Sequence, residues 1–435
     1  MSHSASSAQT PKAVPSHGPR DSFAQLGAFL LDAGYAVTDV HFWLTKVAEK
    51  TGHGNMSIAV LPATVLVSEQ PGSAATVVNA TGVELPFSIS ARANGLVREL
   101  ATGKVPVSLF PTRIQAIRDA STPTTTTEML FGSAFLSAGL AMLFRVPWWA
   151  IVAALFLGAL IGIFIHAASR IRGAGTIITF IIAFCSTLFV GLLASALDLS
   201  PIPLFAVCAP LAVLVPGATI TNALLELSAT DMVTGSSRLM YGLLILGFMS
   251  TGIGAAAMIT GLRIDSSAAN LLGEINAVST DLGGWESVPP LWVSWIGVVF
   301  MAAGIGLAFK AGRLLTLLSI PAMVITYAGI TLLGPLVGGV GATGIIGAVA
   351  FFLARTLERY VPRAPAIATF RPAFLLLVPG TVGLIALTTL DDNALITALG
   401  TFLSLSIGTK TGAVVADLVF RHEANPDEPL NELPV

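Results

Sequence analysis

Ten apolar runs between residues 129 and 420 constrain this chain more than any other feature. Their limits are 129–145, 148–168, 174–196, 203–224, 239–262, 291–309, 314–333, 336–355, 372–390 and 394–418. Each is near the roughly 20 residues that an α-helix needs to cross a bilayer core. One soluble core of a 435-residue chain cannot bury them all. In lipid the outside of a protein is free to be apolar too, provided that helices satisfy the backbone polar groups. Composition agrees, with 54% hydrophobic and 11% charged residues, against about 25% charged in soluble domains. The expected fold class is an α-helical polytopic membrane protein with ten transmembrane helices.

The front of the chain has a different texture. Residues 1–20 are rich in Ser, Ala, Pro and His, without periodicity, and read as a disordered tail. No apolar stretch follows a basic start, so a signal peptide is not expected. Residues 21–128 read as a small α/β domain with a polar tether, STPTTTTE at 121–128. Phe23, Leu26 and Leu30 have helical spacing, Gly34 interrupts, and Thr38 is expected to cap a second helix through Val40, Leu44, Val47 and Ala48. MSIAVLPATVLVSE and AATVVNATGVEL read as two strands around QPGS. Ile89, Ala93, Leu96 and Leu100 mark a third helix, and VSLFPTRIQAIRDA a last one. His41, His53, Asp32, Asp39 and Glu49 match no metal or triad spacing and read as surface residues. No phosphate-binding loop is visible, so no ATP drive is expected, and no cofactor. The net charge of −2 offers no basic excess for a nucleic-acid partner. Cys185 and Cys208 sit in apolar runs and read as buried small hydrophobes.

Loop charges orient the runs. With residues 21–128 in the cytoplasm and sides alternating, inner loops and tail hold Arg170, Arg172, Arg238, Lys310, Arg313, Arg355, Arg359, Arg363, Arg371 and Arg421. Outer loops hold only Arg145 and Arg263. Ten against two is a strong positive-inside bias, which puts both termini in the cytoplasm. The long outer loop, 263–290, is acidic instead.

The tetrapeptide LVPG occurs twice, at Leu214–Gly217 and Leu377–Gly380, in the fourth and ninth runs. Each is the fourth of a five-run set, 129–262 and 291–420, with a C-terminal tail at 421–435. Because five is odd, the two sets enter the membrane from opposite sides, the inverted-repeat plan of secondary transporters. Proline removes a helical donor and glycine lets the chain turn. Matched breaks of this kind point to a binding site between the halves. Pro216 and Gly217, with Pro379, Gly380 and Thr381, are therefore substrate-site candidates. Thr219, Thr221 and Asn222 follow the first break and could bind an ammonium and a side-chain hydroxyl. Glu226 lies four residues after Asn222, on one helical face, and could carry a proton. Pairing of Glu226 and Asp231 with Arg238 at the inner surface is an equal alternative. Lys410 is the one cation well inside a run, about 12 Å from its inner end at 1.5 Å per residue. A charge there is a functional candidate by default, for a carboxylate of the protein or of the substrate. Asp417 is seven residues on, on the same face.

The stretch PLAVLVPGATITNALLEL, with Asp231, Gly235 and Arg238 after it, resembles the threonine/serine exporter (ThrE) family. Pro216, Gly217, Thr221, Asn222, Asp231, Gly235 and Arg238 match the family pattern. Glu226 stands where Asp is expected, and Ala229–Thr230 replace the pattern before Asp231. The resemblance covers about residues 21–420 and is weaker at the second LVPG. It implies a non-enzymatic exporter of L-threonine and L-serine in the bacterial cytoplasmic membrane, driven by the proton motive force. From their positions, Glu226, Asp231 and Asp417 are the proton-coupling candidates and Arg238 a charge partner. A homo-oligomer is compatible with it. The residues alone leave open a transporter of another small organic anion or peptide, or a membrane-anchored enzyme or sensor.

Overall fold

The computed structural model describes residues 18–81, 85–120, 122–168, 175–199, 202–229, 231–265, 284–361, 364–377 and 392–424. Helix α1 (Pro19–Asp32) begins on a proline, whose fixed φ suits the first helical position. It ends in a Schellman turn. Tyr35 N–H donates to the Leu30 carbonyl at 3.1 Å and Gly34 N–H to Leu31 at 2.9 Å. Gly34 takes φ 84°, a conformation that favours glycine. Helix α2 (Val37–Lys50) starts three residues later, one position before Thr38, so Thr38 is not its cap.

The first expected strand is a hairpin. Strands β1 (Ser57–Leu61) and β2 (Thr64–Ser68) pair antiparallel on either side of Pro62–Ala63. The alternation of apolar residues runs through Pro62, but a proline has no N–H for the ladder, so the chain turns there. Strand β3 (Ala75–Asn79) adds antiparallel to β2, giving three strands instead of two. Helices α3 (Phe87–Leu100) and α4 (Phe110–Asp119) follow. Phe23, Phe29, Leu30, Leu44, Val65, Leu100 and Phe110 close a core separate from that of the later helices. Asp32, expected at the surface, is buried beneath it, accepting from Thr81 N–H and Arg118 Nη2, each at 2.8 Å.

Beyond Thr125, whose side chain and Glu128 form a capping box, the described residues are almost all helical, apart from a short parallel pairing of Ile202–Pro203 with Ile264–Asp265. The helices are α5 (Thr126–Leu143), α6 (Trp148–Ala168), α7 (Gly175–Ala196), α8 (Leu204–Cys208), α9 (Gly217–Ser228), α10 (Met232–Thr260), α11 (Leu291–Ala308), α12 (Gly312–Tyr360), α13 (Ala366–Leu377) and α14 (Asp392–Ala424). Among the described residues seven helices are long and apolar enough to cross a membrane, and a bent pair makes an eighth candidate. Runs seven and eight are the two helical segments of α12, which meet at a kink. Its 49 residues reach about 70 Å at 1.5 Å each, over twice a bilayer core of roughly 30 Å. The break lies at Gly338, with φ 77° and ψ 157°, a backbone region essentially confined to glycine. Small residues let the helices approach closely. A Cβ on Gly132 of α5 would stand 2.4 Å from Ala308 N of α11, and one on Gly408 of α14 2.0 Å from the Gly344 carbonyl of α12. Cys208 is buried as expected, but Cys185 is exposed on α7.

Candidate functional site

The fourth run is the bent pair. Helix α8 continues as a 3-10 turn over Ala209–Leu214, Val215 is extended, and α9 leaves at 79° to the first segment. Pro216 and Thr219 are half-buried at the bend. Gly217 is buried against Leu375 of α13, and a Cβ there would stand 2.2 Å from its Cδ2. The fourth run thus meets the start of the ninth. Pro379, Gly380 and Thr381 lie outside the described residues.

Helix α9 carries three buried polar side chains, Thr221, Asn222 and Glu226. Thr221 spends its hydroxyl proton on the Gly217 carbonyl one turn back, at 2.7 Å. Asn222 and Glu226 reach out of the helix to the α1–α2 turn. Asn222 Nδ2 donates to the Gly34 carbonyl at 3.1 Å. Glu226 Oε1 accepts from Val37 N–H at 3.0 Å and from Arg238 Nη1. The Gly34 carbonyl also accepts from Arg371 Nη2 of α13, whose guanidinium lies 5.3 Å from the Phe87 ring centroid.

This geometry explains the start of α2. Its N-cap is Ala36, which has no side-chain acceptor for the orphan N–H groups of the first turn. Glu226 supplies one from another part of the chain, and its charge suits the positive end of the helix. A tertiary acceptor has replaced the local cap expected at Thr38. Three buried polar atoms here have no hydrogen-bond partner among the described residues: Glu226 Oε2, Asn222 Oδ1 and the Tyr35 hydroxyl.

The remaining candidates fall elsewhere. Asp231 caps α10, accepting from Thr234 N–H at 3.1 Å. Arg238 pairs with Glu226, not with Asp231. Lys410 has a buried Nζ without a partner among the described residues. Asp417 does not pair with it but with Arg355 of α12, at 3.2 Å. That pair belongs to a chain of ion pairs, in which Arg355 also approaches Glu358 at 3.8 Å and Glu358 meets Arg98 of α3 at 3.1 Å. Asp39 lies beside this chain, and is half-buried where a surface residue was expected. Burial pushes its carboxyl up to about 6; Arg355 opposes the shift and Glu358 adds to it. Burial raises the Tyr35 phenol above its ordinary 10.0 as well, with Glu358 and Asp39 adding.

Arg371, Gly34 and Val37 are site residues that sequence reasoning missed. From the sequence Arg371 reads only as an inner-loop charge. It sits within α13, just before Pro372 and an apolar stretch, and a lone guanidinium there was a usable signal. Gly34 and Val37 act through backbone atoms and have no signal of their own.

A family model described as "Putative threonine/serine exporter" matches residues 21–260, more than half of the 435 residues. The match takes in the N-terminal helices and sheet, the bent pair and all of α10. No curated protein and no solved structure gives a match.

Proposed function

The chain belongs to the threonine/serine exporter family, and from that premise we propose that it exports threonine and serine across the bacterial cytoplasmic membrane by proton antiport. Ten spans in two inverted five-helix repeats carry the transport, and residues 21–128 form a cytoplasmic domain. The observation that carries this reading is the bent α8–α9 pair with Asn222 and Glu226 buried just beyond it. Each holds a side-chain oxygen with no partner among the described residues. Oxygen acceptors beside a helix break suit an ammonium and a mobile proton.

Packing supports the inverted plan. The first helices of the two sets, α5 and α11, lie antiparallel, Gly132 meeting Ala308 and Gly139 meeting Met301. Within the first set α7 packs on α10, Gly252 against Phe180 and Gly191 against Thr260. In the second, the segment of α12 after Gly338 packs on α14 in the same sense, Gly344 against Ser404 and Gly412 against Ala348. These are the third and fifth runs of each set. Contacts of the N-terminal unit also support the orientation. Its partners Glu226, Phe309, Lys310, Glu358 and Arg371 all lie at run ends assigned to the inside. Arg145 donates to the Pro289 carbonyl at 2.9 Å, and Ile202 N–H to Arg263 at 2.9 Å, between ends assigned to the outside.

The test is transport in proteoliposomes with an imposed pH gradient and a panel of amino acids. Threonine and serine should move against their gradients, and a protonophore should stop them. Glu226→Gln should abolish the coupling while the protein stays folded. Movement that ignores the pH gradient sinks the antiport; another preferred cargo sinks the substrate.

A further inference from the structure

We infer that Arg371, Asn222 and Glu226 together form the amino-acid site, and that the backbone of Gly34–Val37 occupies it as a built-in substitute for substrate. The inference rests on the export reading and deepens it. An amino-acid zwitterion presents a carboxylate that needs donors and an ammonium that needs acceptors. The α1–α2 turn presents the same pair in backbone form. Its Gly34 carbonyl takes two donors, the Asn222 amide and the Arg371 guanidinium. Its Val37 N–H donates to the Glu226 carboxylate.

The atoms left over are acceptors, which an ammonium needs. A backbone N–H has one proton to give, and Glu226 Oε1 receives it. An ammonium has three, and Glu226 Oε2 and Asn222 Oδ1 are buried acceptors without a partner among the described residues. Glu226 is fully buried and Asn222 is 5% exposed, so bulk water does not fill their needs cheaply. Asn222 and Glu226 are one turn apart on α9, a rise of about 6 Å, which limits the ligand to a small amino acid between them. Arg371 comes from α13, the start of the ninth run, so the carboxylate is held across the two halves and the ammonium by the first half. Substrate then enters from the inside only when the turn withdraws, and the turn competes with it.

Amide hydrogen exchange of the full-length protein in lipid nanodiscs tests this. L-Threonine should speed exchange at least threefold across the peptide covering residues 33–40. Threonine methyl ester, which lacks the carboxylate charge, and N-acetylthreonine, which lacks the ammonium, should not. In Arg371→Gln the response to threonine should vanish, and the KM for threonine in proteoliposomes should rise at least tenfold. The wild-type comparison of the three compounds stands even if that variant fails to fold. If threonine is transported but leaves exchange at 33–40 unchanged or slower, the competition is wrong while export survives. If threonine is neither transported nor felt by the turn, the export reading itself fails and this inference falls with it.

Discussion

The cluster around Glu226 and the ion-pair chain around Glu358 both tie the N-terminal unit to the long helices, by different means. At Glu226 the N-terminal unit offers only backbone, the Gly34 carbonyl and Val37 N–H, and three polar atoms stay without partners among the described residues. At Glu358 it offers the Arg98 guanidinium, and the charges run on in alternation through Arg355 to Asp417. The side chains of Arg98 and Glu358 are 34% and 10% exposed, those of Arg238 and Glu226 15% and 0%. A contact with unused capacity can exchange one partner for another. In the chain of charges only Arg98 Nε is buried without a hydrogen-bond partner among the described residues, so that chain has less to gain by opening. The difference suits a division of labour, in which the second cluster holds the unit in place and the first is the proposed substrate site.

The largest expected effect breaks the first cluster outright. Glu226→Ala leaves Arg238 without its buried partner and the first turn of α2 without its acceptor. Removing one member of a buried pair costs about 3–5 kcal/mol. Thermal unfolding in detergent should show a much lower Tm, and export should be lost. Glu358 is itself buried, so Glu358→Ala should cost about 1–3 kcal/mol, less than Glu226→Ala because Arg98 reaches water and Arg355 keeps Asp417. Equal losses at the two positions would erase the difference between the clusters.

Gly34→Ala sharpens the first cluster without touching a charge. The residue sits at φ 84°, and a Cβ would come 2.6 Å from Arg371 Nη2. The strain costs about 1 kcal/mol, and Arg371 has to give way because its flexible end is what the Cβ meets. The turn should bind less firmly, so the KM for threonine should fall a few-fold in transport assays. An unchanged KM alongside a lowered Tm would make Gly34 a helix stop and nothing more.

Much of this was legible beforehand, for physical reasons. Bilayer thickness fixes the length of an apolar run, so most helix positions followed from composition. Proline and glycine mark their own effects on the backbone, which is why the bend at Pro216 was found. Asn222 and Glu226 were found because i and i+4 share a helical face. The third strand was missed because periodicity does not stop at Pro62, although pairing does. Runs seven and eight were legible as two helices, and the kink at Gly338 falls between most of their residues. Arg371, Gly34 and Val37 were missed for a deeper reason. Their roles depend on contacts across 188 or more residues, as between Gly34 and Asn222, and two of them act through atoms that every residue has.

The smallest effect tests the second cluster through pH. The Asp39 carboxyl is pushed from 3.8 up to about 6, by burial first, with Arg355 opposing and Glu358 adding. A carboxyl raised in the folded state favours folding while it stays protonated. That contribution is complete below pH 4 or so, the ordinary value, and is lost as the pH rises through about 6. Wild-type protein should therefore lose stability between pH 4 and 7. Asp39→Asn, with Arg355 and Glu358 left in place, should flatten that slope. At pH 7.5 it should be the more stable by about 1 kcal/mol, less than the full shift implies because Asp39 is partly solvated. Tm against pH for the two proteins in detergent measures this. Parallel curves would mean that water reaches Asp39 freely and that the N-terminal unit meets α12 less closely than the Arg98–Glu358 pair implies.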